Sequence, residues 1–187
     1  MKFLIGTYTR NESKGIYTSE IINNKLAPSK LLFESKTPSY LSINNDYVYS
    51  VYSDEHYSGL RVFTPDKLII DNVDAGKGPC YVSYENKRRQ VYTANYHRGE
   101  VRIYKFYKEK LTLVDQINLG NGSHAHQVFY DQKLRRLIVI DLGLDAIFLF
   151  RHSLRRQRFV VDIQIKLSNK SGPRHAVINH KNHKIYC

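Results

Sequence analysis

Apolar and polar residues alternate in short bursts along this chain, and nowhere does an apolar period of 3.6 residues persist for three turns. Runs such as "YVYSVY", "RQVYTAN" and "RLIVID" have strand length, are rich in β-branched and aromatic residues, and are bounded by polar turns. Four stretches follow one plan: "TPSYLSINNDYVYSVYS", "GPCYVSYENKRRQVYTANY", "HAHQVFYDQKLRRLIVIDL" and "GPRHAVINHKNHKIYC". Each opens on a small or Pro-containing turn and continues as a short alternating strand, a polar turn and a second strand. With Leu41, Val82, Val128 and Ala176 matched, the spacings are 41, 46 and 48 residues. That is the length of a four-stranded propeller blade. Two more strand patterns follow each of the first three pairs: "GLRVF" with "KLIID", "EVRIYKF" with "LTLVDQI", and "LDAIFLF" with "FVVDIQI". Every unit therefore reads as four antiparallel strands, A to D, and the predicted fold class is an all-β, incomplete β-propeller.

The same alignment divides the chain as a single partial propeller domain. Residues 1–35 supply strands B to D of a first blade, because "FLIGTY" at Phe3–Tyr8 matches a strand B. A second blade spans 36–75, a third 76–120 and a fourth 121–168, and 169–187 begin a fifth. Two arrangements satisfy this pattern. "RHAVI" could provide the missing inner strand of the first blade and close a four-bladed ring, or the chain could be the leading part of a larger ring. The surplus "KIYC" favours the second.

Composition changes this picture little. Fifteen tyrosines and no tryptophan suit strands. No apolar run approaches the ~20 residues that span a bilayer, and "MKFLIGTYTR" turns polar too soon for a signal peptide. A cytoplasmic protein without a membrane partner is the expectation, with Cys80 and Cys187 as reduced thiols. Subtracting 17 acidic from 29 basic residues gives +12, a balance open to nucleic acid, an acidic membrane or an anionic substrate. The cations cluster in A–B and C–D turns: Lys87, Arg88 and Arg89; Lys133, Arg135 and Arg136; Arg155, Arg156 and Arg158. Solvated turn tips that keep strand edges from pairing account for them. No aromatic platform is interleaved with them, so nucleic acid is not expected as a partner. The oligomeric state does not follow from the sequence.

The ordered series "IGTYTRNESKGIY", "GKGPCYVSYE" with "YTANYHRGEVRIY", "HAHQVFYD" with "VIDLGLDAIFLF", and "SGPRHAVINHKNHKIY" resembles the seven-bladed β-propeller lactonase family, which includes bacterial 6-phosphogluconolactonase. The resemblance covers essentially the whole chain. It implies about four of seven blades here, and the family's glutamate, expected in an Asn-Glu pair just beyond Cys187, is absent from this sequence. It also implies hydrolysis of 6-phosphogluconolactone or a related sugar lactone in carbohydrate metabolism (the pentose phosphate pathway). The partner is then a small anionic sugar lactone, with no cofactor. The alternative is a catalytically inactive, truncated propeller serving as a binding or scaffold module. Tyr81 stands where the family usually has a histidine after "GPC".

In a propeller the D–A and B–C loops share one face. Ser39, Cys80, His126 and Arg174 hold equivalent positions at the start of the innermost strand, followed by Tyr40, Tyr81, Gln127 and His175. Lactone hydrolysis needs a base for the attacking water and a donor for the oxyanion. His126 suits the first role and Arg174 the second, and these are also the two residues carried over by resemblance. His124 and His175 are expected to orient them, with Asn95, Asp141 and Asp145 of the B–C loops binding substrate. Asn and Asp at strand ends also bond neighbouring backbone groups, a second reading for the last three. His124 and His126 lack a clustered third ligand, so no metal is expected.

Overall fold

The computed structural model describes residues 1–44 and 46–187. Its contacts group into two compact units, Met1–Val82 and Ser83–Cys187. Every regular element among the described residues is a strand. Among them no helix is long and apolar enough to cross a membrane.

In the N-terminal unit, β1 (Lys2–Ile5), β2 (Gly15–Ile22), β3 (Lys25–Leu26) and β4 (Lys30–Glu34) form one sheet. The central β2 pairs β1 on one side and both β3 and β4 on the other. The short β3 and longer β4 are one outer strand interrupted at 27–29, where Pro28 has no N–H to give. β5 (Leu41–Ile43), β6 (Val48–Ser53), β7 (Tyr57–Phe63) and β8 (Leu68–Ala75) form a second antiparallel meander. Phe33 stacks on Phe63 at 4.5 Å between ring centroids and joins the two sheets. Buried Ile16, Tyr49, Val51, Leu60 and Val62 fill the core.

The third meander comprises β9 (Tyr81–Glu85), β10 (Gln90–Asn95), β11 (Glu100–Tyr107) and β12 (Lys110–Asn118). The fourth comprises β13 (Ala125–Asp131), β14 (Arg136–Asp141), β15 (Ala146–Ser153) and β16 (Arg158–Lys166). β17 (Val177–Asn179) and β18 (Lys184–Tyr186) make a two-stranded hairpin. The second strands β10 and β14 are buried through nearly their whole length and the fourth strands β12 and β16 are mostly exposed, as alternation alone does not require.

The third and fourth sheets are fastened by Ser83 Oγ donating to Val128 O at 2.6 Å and Phe159 N–H donating to Asp115 Oδ2 at 2.7 Å. On the far side of the fourth sheet, Ile138, Ile140, Ile147 and Leu149 pack with Ala176, and Ile178 and Ile185 of the hairpin cover them. The hairpin is thereby anchored, and with it the segment between β16 and β17 that bears Arg174.

Candidate functional site

The C-terminal unit brings His126, Arg174, His175, His124 and Tyr96 together at the end where its D–A and B–C loops meet. His126 is the second residue of β13. Ala125 pairs with Asp141 and Gln127 with Ile140, so His126 is the extra residue of a β-bulge. A bulge re-aims its side chain and suspends strict alternation. Here it places the imidazole, only 8% exposed, beside the loop of the next sheet.

Arg174 donates to His126 Nε2 from Nε at 3.2 Å and from Nη2 at 3.0 Å. A guanidinium has only donors, so Nε2 presents its lone pair and the imidazole proton sits on Nδ1. The His175 ring stands edge-on to His126, 5.0 Å between centroids. Burial, followed by the charges of Arg174 and His175, lowers the His126 pKa from 6.5 to about 4. Burial and then Arg174 also lower that of His175. At neutral pH the centre is therefore a neutral, partly desolvated imidazole against a permanent cation.

His124 lies just before the strand. Its ring stacks on Tyr96 at 4.3 Å and nearly parallel, while Nδ1 is 2.9 Å from the Tyr96 carbonyl. A carbonyl only accepts, so Nδ1–H donates. Tyr96 also meets the His126 ring edge-on at 6.3 Å.

Asn95, Asp141 and Asp145, the expected substrate-binding groups, have oxygens taken up by loop donors. Asn95 Oδ1 accepts the N–H groups of His97 and Arg98 at 3.1 and 3.0 Å, closing the turn that presents Tyr96. Asp141 is fully buried. Its Oδ1 accepts from the N–H of His124 at 3.0 Å and of Leu144 at 2.9 Å, and its Oδ2 from the Ser123 hydroxyl. Asp145 accepts from Lys170 N–H and Gly172 N–H, both at 2.8 Å, and from Ser171 Oγ at 3.3 Å. These hydrogen bonds lower its pKa, the Gly172 one most. Pro173 follows, then Arg174, so Asp145 shapes the approach to the guanidinium.

Gln127 carries a function that the residue pattern does not announce. Its Oε1 accepts the Ala176 N–H at 2.6 Å and pins the Arg174–His175 segment to β13. The available signal was positional, since Gln127 matches His175 in repeat alignment. In the N-terminal unit the rings of Tyr40 and Tyr81, of the same rank, lie 4.0 Å apart. Among the described residues no three His, Cys, Asp or Glu side chains converge as metal donors.

Residues 2–187 match the family described as "Lactonase, 7-bladed beta-propeller". The chain belongs to the seven-bladed β-propeller lactonase family. It is 25% identical to the 6-phosphogluconolactonase of Bacillus subtilis, over 97% of this chain and 57% of that protein. A solved Lactobacillus plantarum structure is 30% identical, with a TM-score of 0.81, over 95% of this chain and 56% of that one. The periplasmic gluconolactonase of Pseudomonas aeruginosa shares the fold at 18% identity and a TM-score of 0.74, over 95% of this chain and 58% of that one. The chain thus spans somewhat more than half the length of these lactonase-fold relatives.

Proposed function

We propose that the chain carries a lactone-hydrolysing centre acting on a phosphorylated sugar lactone of the 6-phosphogluconolactone type. The observation that supports this most is a buried, neutral imidazole in hydrogen-bond contact with an exposed guanidinium. Neutral His126 takes a proton from water as the oxygen adds to the lactone carbonyl. Arg174 stabilises the oxyanion of the tetrahedral adduct, or holds the substrate's phosphate, with its guanidinium donors. The adduct collapses by breaking the bond between carbonyl carbon and ring oxygen. The imidazolium returns its proton to that oxygen, and the product is the open-chain hydroxy acid.

In the resting arrangement Arg174 covers Nε2. An arriving anion draws the guanidinium toward itself and frees the lone pair for water, so binding switches on the base. His175 and the Tyr96–His124 stack orient the pair. Asn95, Asp141 and Asp145 act one step further back, by holding the loops.

The test is the rate at which the purified chain hydrolyses 6-phosphogluconolactone above the spontaneous background, beside Arg174→Ala and His126→Gln. Loss of general base catalysis in His126→Gln lowers kcat/KM by about 10²–10⁴-fold. Equal rates in the parent and Arg174→Ala remove Arg174 from the mechanism. A parent rate no higher than background sinks the hydrolytic reading and leaves a non-catalytic binding module.

A further inference from the structure

The end of the C-terminal unit opposite His126 and Arg174 carries the hairpin turns, and the proposed chemistry makes no use of them. In the fourth sheet β13 runs away from His126 to a turn at 132–135, and β15 runs to a turn at 154–157, so both turns leave the same end. Arg88 of the neighbouring sheet reaches over the Tyr130 ring at 4.7 Å and the Phe159 ring at 5.6 Å, which puts its turn alongside. His180 of the last hairpin bonds Asp131 at 2.8 Å and adds that turn to the group. Across the turns at 86–89, 108–109, 132–135, 154–157 and 180–183 stand nine Lys or Arg and one acid, Glu109. Glu85 and Asp131 lie at the feet of two of these turns, accepting from turn N–H groups and, for Asp131, from His180. One continuous face is therefore strongly cationic.

Two leucines interrupt it. Leu154 is 80% exposed and Leu134 41% exposed, and each precedes two arginines, in "KLRR" and "SLRR". Turns are ordinarily built from Gly, Pro, Asn, Asp and Ser, so neither leucine is explained by turn chemistry. Their hairpins lie two strand spacings apart, which sets the tips at about 10 Å. Tyr107, 49% exposed, stands in the neighbouring sheet with Arg89 5.1 Å from its ring centroid.

We propose that this face adsorbs to an anionic phospholipid bilayer, with the arginines among the headgroups and Leu134 and Leu154 entering the boundary of the acyl region. Charge attraction with shallow apolar insertion is the chemistry of interfacial binding. A polynucleotide would be served by the arginines or by stacking surfaces and gains nothing from protruding leucines. The sequence-based expectation of no membrane partner rested on the lack of a spanning segment, which adsorption does not need. So docked, the unit keeps its His126 end toward water.

The experiment is co-sedimentation of the purified chain with vesicles of phosphatidylcholine alone or with about 30% phosphatidylserine, from about 0.1 to 0.5 M salt. The chain pellets with the anionic vesicles and not with the neutral ones, and salt weakens it. Arg155→Glu with Arg156→Glu lowers the partition coefficient by at least about tenfold. Leu134→Ser with Leu154→Ser lowers it about tenfold or more at unchanged charge. Because the chain has no tryptophan, Leu154→Trp is a clean reporter, and its emission shifts to the blue on anionic vesicles. No pelleting with anionic vesicles, undiminished binding by the leucine pair, or an unshifted emission from the Leu154→Trp variant each overturns the proposal. So does displacement of the chain from vesicles by an RNA that the leucine pair binds equally well.

Discussion

Gln127 Oε1 accepts the Ala176 N–H at 2.6 Å, and this bond ties the strand bearing His126 to the backbone of the segment bearing Arg174. Both residues are buried, so the donor has no water to turn to if the acceptor is removed. Gln127→Leu keeps the bulk and deletes the acceptor. It should destabilise the unit by about 1–3 kcal/mol, the cost of an unsatisfied buried amide. It should also lower lactone turnover, while Gln127→Glu, which retains an acceptor, recovers more of the guanidinium's placement. Urea unfolding beside steady-state kinetics separates the two effects.

The His126 pKa of about 4 makes a signed prediction about acid. Only the neutral imidazole can act as base, so kcat/KM should show no loss attributable to His126 between pH 7 and 5, and should fall as pH drops through about 4. Stability moves the same way. In the unfolded chain the group takes up its proton near 6.5, so unfolding is favoured between that pH and the folded value. The contribution is complete above pH 6.5 and is lost as pH falls toward 4, on the order of 3 kcal/mol. His126→Gln should therefore lose less stability than the parent on going from pH 7 to 4. In Arg174→Ala the His126 titration, followed by proton NMR, should move up yet stay below 6.5, because burial is the larger cause.

Much of this architecture is legible in the alternation itself. The matched Leu41, Val82, Val128 and Ala176 mark where the first strand of each repeat begins, and Val82, Val128 and Ala176 are buried while Leu41 is partly so. His126 beside Arg174 follows from the same repeat arithmetic. What alternation does not reveal is the bulge at His126, since a pattern of period two assumes one residue per rung and the extra residue leaves no compositional mark. The interruption at Pro28 is visible in hindsight as a missing donor, although the strand pattern runs through it. Asn95, Asp141 and Asp145 all bond loop N–H groups. A carboxylate or amide at a strand end can face a ligand or its own loop, and only the positions of Lys170, Gly172 and Leu144 decide between them. The stack of Tyr96 on His124 joins residues of two sheets and has no local signature.

Asp145 offers a way to disturb the guanidinium without touching it. It gathers Lys170, Ser171 and Gly172 immediately before Pro173, so the loop's path depends on both carboxylate oxygens. Asp145→Ala should release the 168–172 amides to faster hydrogen exchange while those of β13 stay protected. Turnover should fall mainly through KM, since a wandering Arg174 binds the substrate anion less often. Asp145→Asn, which keeps one acceptor, should lie between the two. Unchanged exchange in 168–172 would show that the loop holds itself.

Gly143 is the tightest point behind the histidines. A Cβ there would lie 2.1 Å from the Gly122 carbonyl oxygen and 2.7 Å from His124 Cδ2. Backbone on one side and a ring pinned by Tyr96 on the other leave no flexible neighbour to give way. Gly143→Ala should therefore push the 122–124 segment off the B–C loop and break the set of bonds that Asp141 makes to Ser123 and His124. Overpacking of this kind costs about 1–3 kcal/mol. Gly120 has nothing within 4 Å of the same position, but its φ of 93° makes it a strained comparison. Thermal unfolding should place Gly143→Ala below the parent, with the His124 ring resonances shifted as the stack on Tyr96 opens. Parent-like resonances would mean that the loop accommodates the methyl group and that this contact does not position His124.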